Sequence, residues 1–130
     1  GLDQVRYFLL REVPFGNDGD FSQQSMIARI NSDLSNDLGN LCQRVLSFVY
    51  KNGGQKIPQP MNELPEDQRL LQNAKDLIAK LREHFDSQEF NLALEKIWTV
   101  IGAANKYIDT QAPWALKKSN PERMNTVLYN

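Results

Sequence analysis

An all-α helical bundle is the fold class this sequence predicts, and three observations predict it. Apolar residues recur at threes and fours along most of the chain. No stretch of useful length alternates apolar with polar in the manner of a half-buried strand. Glycines and prolines gather into a few breaks between the periodic runs. With 130 residues there is room for one domain with a real core and not for two ordinary ones. There is no repeat of fixed period and no low-complexity tract.

The elements follow in order. Leu2, Val5, Phe8 and Leu9 give a short helix over residues 2–11, which Pro14, Gly16, Asn17, Asp18 and Gly19 end with turn chemistry. Ser22 can cap a second helix whose apolar residues Ile27, Ile30, Leu34, Leu38, Leu41, Val45 and Phe48 step by threes and fours without a slip, which predicts one long helix ending near Tyr50. Asn52-Gly53-Gly54 supplies its stop, and Pro58 and Pro60 extend the loop. Pro65 with Glu66 and Asp67 fits the first turn of a third helix, since proline needs no donor there and the acids meet the positive end of the dipole. Its stripe is Leu70, Ala74, Leu77, Leu81 and Phe85. Asp86 and Glu89, three apart, read as a capping box for a fourth helix with the stripe Phe90, Leu94, Ile97, Ile101, Ala104 and Ile108. That helix stops at Pro113 and leaves Trp114 at a helix end. Asn120-Pro121-Glu122 opens a fifth, with Met124, Val127 and Leu128 on its apolar side, expected to be cut short of its natural end. Residues 1–20 read as an appended connecting segment and 21–130 as the bundle.

Composition narrows the function. The formal net charge of −1 supplies no global basic field, so nucleic-acid binding, if it occurs, is local and selective. Cys42 and His84 are single, which excludes an intrachain disulfide and a Cys/His metal cluster. A reducing, cytoplasmic compartment fits. No apolar stretch approaches the roughly 20 residues of a membrane span, and the N-terminus lacks a signal-peptide layout. There is no phosphate loop, no Gly-x-Ser-x-Gly elbow and no His-Glu-x-x-His. Gly53-Gly54 is a helix stop, His84 has no catalytic partner and reads as solvated or capping, Cys42 flanks the core, and Asp18 with Asp20 belong to a plain turn. No catalytic and no metal-ligating residue is expected in this chain.

Two features remain. Trp114 at a helix mouth can pack one face and leave the other as a platform for a nucleobase, although a Trp capping a core has the same signature. On the long helix Asn36, Asn40 and Arg44, spaced by four, form a polar ladder. Amide and guanidinium together are a kit for reading the edges of unstacked bases, although an ordinary helix face with Arg44 paired to an acid would look the same.

Several segments carry a resemblance. Tyr7-Phe8-Leu9-Leu10-Arg11-Glu12, then Gly16-Asn17-Asp18-Gly19-Asp20-Phe21-Ser22, then Arg29-Ile30-Asn31-Ser32-Asp33-Leu34 with Asp37-Leu38-Gly39-Asn40-Leu41, and last Asn105-Lys106-Tyr107 with Ala112-Pro113-Trp114, stand in an order similar to the bacterial-type methionyl-tRNA synthetase family. The likeness spans essentially the whole chain and weakens between Tyr50 and Glu89, where that family varies. It implies a chain that begins after the KMSKS loop, runs through the segment that leaves the class I catalytic domain, and continues as the helical anticodon-binding domain. It implies anticodon-reading side chains at Asn40 and Arg44 and a base-stacking indole at Trp114. Asp109 would be a discriminating acid, and Asn105 would share that surface. It implies methionine tRNA, through its CAU anticodon, as partner, with no DNA and no membrane, and the catalytic domain of the same enzyme as neighbour. ATP and methionine would belong to that catalytic domain, so this piece alone is expected to hold no cofactor and to be inactive; the family's zinc-bearing insertion also lies outside it. Lys106, Lys117 and Lys118 read as solvated surface charges, with phosphate contact as the alternative. Two rivals stay open: the helical anticodon domain of another class I synthetase, and a helical protein-interaction module with an open apolar face.

Overall fold

The computed structural model describes residues 1–130 as seven α-helices and one π-helical segment: α1 (Leu2–Glu12), α2 (Gln23–Arg29), the π segment Ile30–Gly39, α3 (Asn40–Asn52), α4 (Pro65–Asp86), α5 (Phe90–Gln111), α6 (Pro113–Ser119) and α7 (Pro121–Tyr129). The fold is all-helical, as the periodicity predicts. No helix is long and apolar enough to cross a membrane.

Local chemistry accounts for most of the boundaries. The Ser22 hydroxyl accepts from the Ser25 amide at 3.3 Å and caps α2. α3 runs to Asn52, two residues beyond the expected end near Tyr50, and Gly53 closes it. Pro65 occupies the first position of α4, and the Asp67 carboxylate turns back to accept from the Leu64 amide at 2.8 Å. At α7 the Asn120 side chain accepts from the Arg123 amide at 3.1 Å.

Four expectations need correction. The second helix is one rod but not one helix type, because the π segment widens its middle turns; Ile30, Leu34 and Leu38 within it are four apart, a spacing that keeps to one face in either winding and does not register the change. Asp86 and Glu89 form no capping box. Asp86 ends α4, and the left-handed Gln88 (φ 59) sends the Glu89 carboxylate back to His84 Nδ1, 2.7 Å away, instead of onto the first turn of α5. Between α5 and α7 lies a helix that the sequence reading leaves as loop, α6, so Trp114 starts a helix rather than trailing one. Finally, Leu2, Val5, Leu9 and Ile27 are exposed although they sit on the expected stripes, because α1 and α2 have neighbours on one side only, and Phe85 is exposed at the C-terminal end of α4.

The core lies where α3, α5, α6 and α7 meet the start of α4. Leu70, Tyr107, Ile108 and Val127 form one buried cluster, and Val49, Met124 and Leu128 form another. Val45 and Leu116 pack against both and join them. The antiparallel α4–α5 pair is the long scaffold. α1 docks on α5 through Tyr7, whose ring lies 4.8 Å from that of Trp98, and its Phe8, 1% exposed, is enclosed with its ring 5.8 Å from that of Phe21. The Tyr7 hydroxyl donates to Asp33 at 2.5 Å, and Arg29 bridges Glu12 at 3.1 Å and Asp33 at 3.6 Å. Burial, assisted by Asp33, pushes the Tyr7 phenol well above its ordinary pKa. This ties α1 to the π segment.

Candidate functional site

α5 ends because Ala112 adopts the left-handed conformation (φ 44, ψ 65), and Pro113 then begins α6 at once, where its missing donor is harmless. The turn stays bonded: the Ala112 amide donates to the Ile108 carbonyl at 3.0 Å, while its own carbonyl accepts from the Ala115 amide at 2.8 Å. Pro113 is buried, whereas Trp114 beside it is 49% exposed. One part of the indole is thus held by the corner and the rest faces solvent.

Arg44 of α3 reaches this corner. Its guanidinium carbon lies 5.7 Å from the centre of the Trp114 ring, and its Nη2 is hydrogen-bonded to Asp109 of α5. Arg44, Val45, Phe48, Ile108, Pro113, Trp114 and Leu128 line a mostly apolar cavity of about 220 Å³. A planar cation over an aromatic face contributes about 0.5–1 kcal/mol at an exposed site. The ion pair adds little, because Arg44 and Asp109 keep 31% and 61% of their side-chain surface and such pairs contribute about 0–1 kcal/mol. Arg44 is therefore aimed but not locked.

Three of the five expected site residues, Arg44, Asp109 and Trp114, are brought together. Asn40 stands exposed one turn before Arg44 on the same helix and Asn36 is exposed further back, in the π segment. Asn105 is directed elsewhere. Its amide donates to the carbonyls of Asp37 at 3.0 Å and Ile101 at 3.3 Å, so it fastens the π segment to α5 one turn before Asp109. Lys106, Lys117 and Lys118 are exposed.

Beneath the corner is a polar network that sequence reasoning missed. Asp67, read as an acid at a helix dipole, has no exposed surface. It accepts from both terminal nitrogens of Arg123, from the Tyr107 hydroxyl at 2.5 Å and from the Leu64 amide. Burial raises the Asp67 pKa, but the hydrogen bonds from Arg123, Leu64 and Tyr107 outweigh it and hold the carboxyl below the ordinary aspartate value. Burial pushes the Tyr107 phenol up to about 12, with Asp67 adding to it and the bond from Asn130 opposing. Arg123 also donates to Gln111 at 2.6 Å. The available signals were Pro65 two residues before an acid, which marks a self-capping carboxylate, and Pro113 followed by Lys117-Lys118, which are start and stop signals for a short helix.

Comparison with known proteins gives the family. A family model described as "tRNA synthetases class I (M)" matches residues 1–46, and one described as "Anticodon binding domain of methionyl tRNA ligase" matches residues 57–129, more than half of the chain. The chain belongs to the methionyl-tRNA ligase anticodon-binding family. Among similar relatives, the methionine–tRNA ligase of Mycobacterium leprae is 52% identical over 133 residues, covering 99% of this chain and 25% of that protein. That of Brucella suis is 50% identical over 129 residues, again with 99% and 25% coverage. A crystal structure of Mycobacterium tuberculosis methionyl-tRNA synthetase bound by methionyl-adenylate superposes with a TM-score of 0.96 at 51% identity, covering 99% of this chain and 26% of that one. The chain thus spans about a quarter of the length of these methionyl-tRNA ligases.

Proposed function

We propose that this chain is the tRNA-recognition part of a methionine–tRNA ligase and that the α3–α5–α6 corner receives the CAU anticodon of methionine tRNA. One observation carries the reading: a half-exposed indole with a loosely held arginine above it and an acid beside it, over an apolar cavity. Anticodon bases splayed from their loop offer a π face and hydrogen-bonding edges. Trp114 supplies the stacking surface, about 1–3 kcal/mol per base and blind to its identity. Asn40 and Arg44 read base edges. Asp109 holds Arg44 until a base takes its place and repels wrong edges, and Asn105 sets that surface by fixing the π segment. A wrong base leaves a buried polar group unpaired, at about 1–3 kcal/mol.

In this reading residues 1–20 connect the bundle to the catalytic half, whose chemistry consumes ATP and methionine, and the parent enzyme works in the cytoplasm. The relative solved with methionyl-adenylate supports that division. Binding of a methionine-tRNA anticodon stem-loop to Trp114→Ala tests the site: affinity falls ten-fold or more, at about 1.4 kcal/mol per decade. A folded variant with parental affinity removes the stacking role. For Arg44→Ala the quantity to follow is the ratio of cognate to single-base-changed anticodons, which falls if Arg44 is a reader and is unaltered if it is not.

A further inference from the structure

A stacking platform works only if its backbone is fixed, and the backbone that carries Trp114 has an intrinsic weakness. Ala112, two residues before it, holds a left-handed conformation that residues with a Cβ adopt only where the surroundings over-determine it. Its own hydrogen bonds, to Ile108, Ala115 and Leu116, all run along the chain and do not orient the corner relative to the rest of the bundle.

Packing of Pro113 and Leu116 seats the corner on the core, and a directional tie from it to the rest of the bundle is made by Gln111, the last residue of α5. Its side-chain oxygen accepts from Arg123 Nη2 at 2.6 Å. Arg123, in the first turn of α7, gives the same nitrogen to Asp67 at 2.8 Å and its other terminal nitrogen to the second Asp67 oxygen. Asp67 is rigid in turn: it has no exposed surface and is bonded to the start of α4 and to Tyr107, one turn before Gln111. A planar guanidinium held on two edges directs its remaining N–H along a fixed line. That line ends on the residue before Ala112.

We propose that Gln111 and Arg123, anchored by Asp67, are positioning residues for Trp114: they fix the α5–α6 corner and so set the indole before any ligand arrives. Neither side chain lines the cavity under the ring. Their effect on RNA rests on the function proposed above; their effect on the indole does not.

The experiment uses the 130-residue chain with Trp98→Phe, which leaves Trp114 as the sole fluorophore of its kind. The Trp98 indole nitrogen is buried without a hydrogen-bond partner, so phenylalanine removes no bond there. Gln111→Leu removes the acceptor and Gln111→Glu retains it. In the anisotropy decay of Trp114 without RNA, the fast local component grows in the leucine variant and returns to the parental amplitude in the glutamate variant. Affinity for the methionine-tRNA anticodon stem-loop falls roughly five-fold in the leucine variant, as expected where one ordinary hydrogen bond's worth of order is lost. A folded leucine variant with the parental decay overturns the proposal, and so does a glutamate variant that decays like leucine. If the leucine variant does not fold, Gln111→Asn withdraws the same oxygen by one methylene and carries the same test. A parental protein that ignores the stem-loop defeats the proposed function, and the anisotropy then decides the positioning alone.

Discussion

A carboxylate without exposed surface stays ionised only if its oxygens are occupied, and those of Asp67 are, by Arg123, Tyr107 and the Leu64 amide. Because these bonds depress its folded-state pKa below the unfolded value, the sign of the pH dependence follows. The stability Asp67 contributes is complete above the ordinary aspartate pKa of about 3.9 and is lost as pH falls through the lower folded value. Asp67→Asn leaves Arg123 as an uncompensated, mostly buried cation, and is expected to cost about 3–5 kcal/mol at neutral pH. Urea unfolding at pH 7 and at a series of values below 4 checks both parts. The gap between parent and variant should be widest at neutral pH and close as the solution is acidified. A gap that is constant with pH would mean that Asp67 acts through its shape and not its charge. The local sequence marks only the self-capping bond to Leu64; the partners that make Asp67 a buried anchor, Tyr107 and Arg123, lie 40 and 56 residues away.

At the scale of elements, the π segment decides how α3 meets α5. Within it Gly39 is the tight point, since a Cβ there would stand 2.9 Å from the Leu34 carbonyl oxygen, a backbone atom that cannot swing aside. Alanine is normally favoured over glycine in a helix by about 1 kcal/mol. Here crowding of about 1–3 kcal/mol opposes that preference, so Gly39→Ala is expected to lower the melting temperature by a few degrees rather than raise it. A rise would show that the segment rewinds to an α-helix without penalty. The long helices were legible because their stripes extend over many turns, and Ser22, Pro65 and Asn120-Pro121 announce three of the starts. The π winding was not, because Ile30, Leu34 and Leu38 at a spacing of four keep to one face in either geometry. α6 escapes the pattern because Pro113, a stop signal for one helix, also begins the next. Of the site, Arg44, Asp109 and Trp114 could be singled out by residue type and resemblance. Their convergence depends on a contact 65 residues apart in sequence, which no local pattern encodes.

At the scale of the whole molecule, the question is whether the first helix is an appendage or part of one cooperative unit. Its outward residues Leu2, Leu9 and Leu10 are exposed, which favours an appendage, but Phe8 is almost completely enclosed and Tyr7 packs on Trp98 in the middle of α5. Arg29, Glu12 and Asp33 then connect the same helix to the rod that carries Arg44. Deleting an enclosed aromatic ring costs about 3–5 kcal/mol when the surroundings cannot collapse, and a domain of this size has only about 5–15 kcal/mol in total. Phe8→Ala should therefore destabilise the entire chain and not merely release residues 1–20. With Trp114→Phe in both parent and variant, the fluorescence of Trp98 reports the α1–α5 contact, while far-UV circular dichroism reports helix content throughout. In the parent the two urea transitions should coincide, and in Phe8→Ala both should move to lower urea together. If the Trp98 signal moved alone, α1 would be an independently docking segment, and the bonds from Tyr7 and Arg29 could not couple it to the corner that carries Trp114.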